Sequence, residues 1–333
     1  MLSKKHFIIS LAVCLILLIA LPGFSSGKKE EKTYQMRTVT VLAKGDPVGI
    51  AMKKFCELVE QRSNGRIKTT DNYGSELGTQ REQCEMVQSG SLEMVTSLTS
   101  GTGRYIPQLA VFAFPYVFKD DEHVVRSLDG MEAEVSRLLA PHNFVAIAGQ
   151  NMGFRHSLIK KRPVNKVADF KGLKMRGPDP VYAGMFEAFG ADAITTDWSE
   201  IYNALQTGVI DGMEASPAMI YSMKFQEQAK YLSKTYHIAA AVYYMFNKKW
   251  YESLPDDLRK IVEDSAREAA KYQAEQRDTL DKEKLQAMIA EGVIVNEVAD
   301  MAEFRKVQEG YKQKLLQKGP EWVDFYNKLK AIP

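Results

Sequence analysis

From Thr38 onward the chain repeats a short strand followed by an amphipathic helix, one unit in about every 30 residues, and this alternation limits the fold to α/β architectures with a mostly parallel sheet. "TVTVLAKGDP" predicts a strand over Thr38 to Leu42 and a turn. Asp46 and Pro47 then open a helix whose apolar positions Val48, Ala51, Phe55, Leu58 and Val59 recur at helical spacing until Gly65. "RIKTTD" predicts a second strand. Thr79 and Glu82 form a capping box for a second helix that stops at Gly90, and "LEMVTSL" predicts a third strand.

The pattern resumes after a short helix near His123 with the strand "FVAIAG", and a second α/β unit starts at "NMGFRHSLI". That unit holds a strand in "DFKGLKMRGP", a helix from Val181 to Phe189, the strand "DAI", and a helix opened by a capping box of Asp197 and Glu200. "HIAAAVYYMFN" is almost uncharged and suits a buried strand crossing between domains. A helix then runs from Ser253, Pro255 and Asp256 toward Gly292, far beyond the average of roughly 12 residues. Its apolar face of Leu258, Ile261, Val262, Ala266, Ala269 and Ala270 is suited to pack across two domains, and an amphipathic helical tail follows from Met301 to Ile332. The expected division is domain I over residues 33–152 plus 241–280 and domain II over 153–240 plus 281–333, with a ligand cleft between them.

The first residues read as a secretory signal peptide over 1–25 and a solvated linker over 26–32: Lys4 and Lys5, 18 uncharged residues from Phe7 to Phe24, then Ser25, Ser26 and Gly27. The competing reading is an uncleaved anchor, against which Pro22 and Gly23 break the apolar run. Without the leader, 42 basic residues face 42 acidic ones, interspersed, which leaves no basic field for nucleic acid. Cys14 departs with the leader, and Cys56 and Cys84 form either a disulfide or two separately buried thiols.

Enzyme signatures are scarce. The chain has no G-x-S-x-G, H-E-x-x-H or phosphate-binding loop, no cofactor motif, and no metal spacing among His123, His142, His156 and His237. Two arginines carry the binding chemistry instead. Arg176 follows Leu173 and Met175 in strand alternation and precedes Gly177 and Pro178, which places it where a strand stops, and strand ends are where α/β sheets build sites. Arg155, in "GFRHS", lies near a second strand end. A pair of guanidinium groups beside a cleft can clamp a carboxylate. Trp198 is either an apolar wall for such a ligand or a packing residue.

"GFRHSLIKKRPVNKVADFKGLKMRGP", "FGADAITTDWSEIYNALQTGVIDGMEASP", "SELGTQREQCEMVQSGSLEM", "FAFPYVF" and "LPDDLRKIVEDSAREAAKY" together resemble the DctP family, the solute-binding proteins of tripartite ATP-independent periplasmic (TRAP) transporters. The resemblance implies a two-domain fold of the periplasmic-binding-protein kind (type II), with crossing hinge strands and one long helix spanning both domains. It implies a periplasmic receptor, without enzymatic activity, that closes on a small organic acid and passes it to TRAP membrane subunits. By the same resemblance Arg176 pairs with the ligand carboxylate and Arg155 is the second arginine. Trp198, Gln80, Asp179, Ser216 and Glu214 complete the implied site. Where the family often has asparagine after Glu214, this chain has Ala215 and then Ser216. Asp179, Gln80 and Leu98 depart from the sialic-acid-binding pattern, which leaves a sugar acid, a hydroxy or keto acid, or a dicarboxylate. Two other readings stay open: a sensor that docks to a receptor kinase, and a secreted enzyme on acidic sugars using Asp211 and Glu214 as paired carboxylates. Monomer and homodimer are both compatible with the sequence.

Overall fold

The structure, a computed structural model, describes residues 32–333. The signal peptide and nearly all of the linker lie outside the described residues. Eleven strands form two sheets among the described residues: β1 Tyr34–Val39, β2 Ile67–Asn72, β3 Met94–Ser97, β4 Phe144–Phe154, β5 His156–Ile159, β6 Lys174–Arg176, β7 Asp192–Ile194, β8 Gly212–Ala215, β9 Tyr231–Lys234, β10 Ala239–Asn247 and β11 Ile294–Glu297. The first sheet has the order β2-β1-β3-β10-β4 and the second β11-β9-β5-β8-β6-β7. In the first, β1 runs parallel to β2 and β3 while β10 runs antiparallel to β3 and β4; in the second, β6 is parallel to β7 and β8 and β11 to β9, but β5 is antiparallel to β8 and β9, so both sheets are mixed rather than mostly parallel.

Local sequence chemistry accounts for most of these elements. Asp46 caps the helix Pro47–Arg62 by accepting the Val48 N–H, and the Thr79–Glu82 capping box opens the helix Gln80–Ser89, which Gly90 ends in the left-handed conformation. β1 begins four residues earlier than its apolar run, because Tyr34 pairs with Ile67 and Met36 is buried in the core. The helix near His123 is longer than expected, Asp121–Leu139, and β4 runs 11 residues to Phe154. The Asp197 capping box does not form: the Asp197 side chain makes no cap hydrogen bond, and a single 3-10 turn, Trp198–Glu200, precedes a helix of seven residues, Ile201–Thr207.

Two crossings join the sheets. A single residue, Arg155, separates β4 of the first sheet from β5 of the second. Beside it the chain returns from β9 to β10, and the Arg155 N–H donates to the Ile238 carbonyl at 2.8 Å. Both strands are buried along most of their length, which is why "HIAAAVYYMFN" carries almost no charge. The long helix Asp256–Ala290 spans the join. Leu258, Val262, Ala266 and Ala269 are buried in a core with Phe55, Tyr244 and Phe246 on the first-sheet side, Gln273 donates to the Asn151 carbonyl, and Asp281 accepts the Ala218 N–H of the second lobe. The tail is two helices, Met301–Leu316 and Pro320–Lys330, because Gly319 and Pro320 interrupt it. The last helix packs Trp322 on Phe114 and Phe325 on Phe112, which belong to the first lobe. Cys56 and Cys84 are both buried and free, so the disulfide alternative is not realised.

Candidate functional site

A cavity of ≈ 360 Å³ lies where the two sheets and the crossing strands meet. The first lobe contributes Val41, Leu42, Gln80 and Leu98; the crossings contribute Met152, Arg155 and Val242; the second lobe contributes Arg176, Tyr182 and Trp198.

Arg176 is the last residue of β6, paired in parallel with Ile194 of β7, while the preceding Met175 pairs with Gly212 of β8. Gly177 follows because the helix Pro180–Ala188 starts so close: a Cβ there would stand 2.7 Å from the Ala183 backbone. The "RGP" triplet thereby turns the chain at once and leaves the arginine at the cavity. Its side chain is nearly buried, at 6% exposure, yet weakly compensated. Nε donates to the Thr196 carbonyl at 3.0 Å, Nη1 lies 3.8 Å from Glu214 Oε1, and the guanidinium carbon stands 5.7 Å from the Trp198 ring. Neither terminal nitrogen makes a hydrogen bond among the described residues. Burial, reinforced by the nearby Arg155 charge and opposed by Glu214, depresses the guanidinium to about 10. A buried cation held that far down is under-compensated within the protein.

Arg155 lines the same cavity but is already occupied. Its Nε and Nη2 grip the Glu214 carboxylate, with Nη2 to Oε1 at 2.9 Å, and Nη2 also donates to the Glu214 carbonyl at 2.6 Å. Glu214 sits in β8 with no exposed surface. Burial pushes its carboxyl up, but the Arg155 charge and the neighbouring His237 outweigh that and hold it below the usual carboxylate range. His237, also fully buried, has Nε2 3.8 Å from Glu214 and Nδ1 2.7 Å from Thr235 Oγ1. Sequence reading gave this histidine no role; its place at the head of the uncharged crossing strand is the signal that could have found it.

The remaining expected residues divide. Trp198 lines the cavity and also packs edge-on against Phe225 at 5.2 Å. Gln80 lines the cavity and donates to the Thr96 carbonyl at 3.3 Å. Asp179 and Ser216 are not among the lining residues. Asp179 caps the helix Pro180–Ala188 through the Val181 and Tyr182 N–H groups, and buried Ser216 stands at the start of the helix Pro217–Ser222. Glu214 also lies behind the lining, under both arginines. The paired-carboxylate arrangement does not form: Asp211 is bound to Lys161 and to the Lys174 N–H, Glu214 to Arg155, and neither faces the cavity.

Asp46, 1% exposed, has a second carboxylate oxygen that is buried without a partner. Burial pushes this carboxyl up to about 7, the Val48 N–H opposes the shift, and the nearby Asp281 adds to it. From about pH 4 to about pH 7 the folded chain therefore keeps a proton on Asp46 that the unfolded chain has lost. Its contribution to stability falls as pH rises through that window, by up to about 1.4 kcal/mol per pH unit. Asp46→Asn keeps a capping oxygen and removes the titration, so thermal melts should show the variant gaining on the parent between pH 5 and pH 7.5. A stability difference that does not change with pH would contradict this assignment.

A family model described as bacterial extracellular solute-binding protein, family 7, matches residues 38–318. A solute-binding protein of Verminephrobacter eiseniae is 32% identical over 271 residues, covering 81% of this chain and 81% of that protein. The 2,3-diketo-L-gulonate-binding periplasmic protein of Escherichia coli is 30% identical over 230 residues, covering 68% of this chain and 70% of its own. Among solved structures, a TRAP periplasmic solute-binding protein from Roseobacter denitrificans with bound β-D-glucuronate matches with a TM-score of 0.86 at 27% identity, over 90% of this chain and 100% of that one.

Proposed function

Since the chain belongs to the family-7 bacterial extracellular solute-binding proteins, the DctP family of TRAP receptors, we propose that it captures a small organic acid in the periplasm and delivers it to the membrane subunits of an ion-gradient-driven TRAP transporter. Arg176 carries this reading, because a buried, weakly compensated guanidinium at a strand end asks for one carboxylate and has two terminal nitrogens that make no hydrogen bond among the described residues. Trp198 and the apolar crossing residues would cover the carbon chain, and Gln80 would meet it from the first lobe. Arg155, held by Glu214, would bring positive potential to the ligand with its geometry already fixed.

The test is a thermal-shift screen of the purified protein against a panel of organic acids. A ligand that binds only the folded state adds about 2.7 kcal/mol at a hundred times its dissociation constant, which in a chain of this size raises the melting temperature by roughly 4 °C. Sugar acids or related carboxylates should give such a shift. Silence across the panel, with no acid released from denatured protein in a mass spectrum, would count against the reading.

A further inference from the structure

The charges around the cavity do more than attract a carboxylate; they limit how many carboxylates a ligand can carry. Four charged residues line the cavity: Arg81, Arg155, Arg176 and Asp197. Arg155 is consumed by Glu214. Arg81 is 71% exposed and its Nε donates to Glu85 at 3.1 Å, so its charge is compensated and screened. Arg176 has room for one carboxylate and sits against Glu214, which compensates only part of its charge. The fourth group is an anion. Asp197 is exposed at the rim, directly before Trp198, and its side chain neither caps the turn Trp198–Glu200 nor makes a hydrogen bond or ion pair among the described residues. Every other polar residue of the lining, among them Thr79, Gln80, Ser97, Thr195 and Ser199, is neutral.

We propose that Asp197 is a specificity-determining residue that selects a hydroxylated acid with a single carboxylate and turns away dicarboxylates. The proposal rests on the acid-binding reading and narrows it. A ligand anchored on Arg176 extends its far end toward neutral hydroxyl and amide groups and one unpaired carboxylate. A hydroxyl there donates to Asp197 in a charge-assisted hydrogen bond. A second carboxylate meets a like charge with no free cation to offset it.

The experiment is calorimetric titration of the full mature protein with D-gluconate, D-glucuronate and D-galactonate, each compared with the dicarboxylate of the same carbon skeleton, D-glucarate or galactarate. The parent should bind its best monocarboxylate at least about tenfold more tightly than the matched dicarboxylate, and Asp197→Asn should lose most of that ratio by gaining on the dicarboxylate. Asp197→Ala should also lose about tenfold for the monocarboxylate, because no acceptor remains for its hydroxyl. A parent that prefers the dicarboxylate, or an Asp197→Asn variant with the parent's ratio, overturns the role of Asp197 and leaves acid binding intact. If no acid of either kind binds the parent, the acid-binding reading fails and the selection argument falls with it.

Discussion

Replacing Arg176 with alanine should weaken binding of the acid by about 30-fold to several thousand-fold. The range follows from removing one partner of a buried, hydrogen-bonded charge pair, which costs about 2 to 5 kcal/mol. Two features of this chain favour the upper part of that range. The guanidinium is nearly buried, so its attraction to a carboxylate is little screened, and no other lining cation is free to take its place. Arg176→Lys should recover part of the loss, since a point charge remains while the paired donor geometry does not. With its pKa near 10, Arg176 stays cationic across the neutral range. Its share of the affinity should therefore be flat from pH 6 to pH 8 and decline only above about pH 9. Isothermal titration of parent and variants reads all three effects, and an Arg176→Ala protein with parental affinity would remove Arg176 from the site.

The second large effect concerns stability. Glu214→Ala leaves Arg155 buried without its bidentate partner, and withdraws the carboxylate 3.8 Å from Arg176. Breaking a buried pair from one side costs about 3 to 5 kcal/mol. In a chain of this size that corresponds to a fall in melting temperature of roughly 5 to 8 °C. Removing both partners tests the cause. Arg155→Met with Glu214→Met should recover much of the loss, because a volume-matched apolar pair owes no desolvation cost. Binding should not recover with it, since that double variant changes the charge around Arg176. If Glu214→Ala melts within about 2 °C of the parent, the pair is not the stabilising contact described above.

Much of this was legible in the sequence where the physics is short-range. The capping box at Thr79 and Glu82, the Asp46 cap, the stop at Gly90 and the strand end at Arg176 each depend on residues within a few positions of one another, and they formed as expected. The length and composition of the helix from Asp256 and the uncharged run from His237 announced elements that join two lobes. The capping box expected at Asp197 failed for an instructive reason. Spacing offered Asp197 and Glu200 to each other, but the chain tightens into a 3-10 turn there and leaves the aspartate facing the rim.

The sequence by itself determined the strand and helix alternation, the family likeness and the presence of two arginines at strand ends, because periodicity and capping are properties of neighbouring residues. Only the tertiary structure decided how each of those arginines is paired. Arg155 meets Glu214 across 59 positions of sequence, and that contact leaves Arg155 neutralised and Arg176 available. The two arginines look alike in sequence and differ in the folded protein because desolvation and charge pairing depend on what the fold brings within a few ångströms, not on what stands beside a residue in the chain.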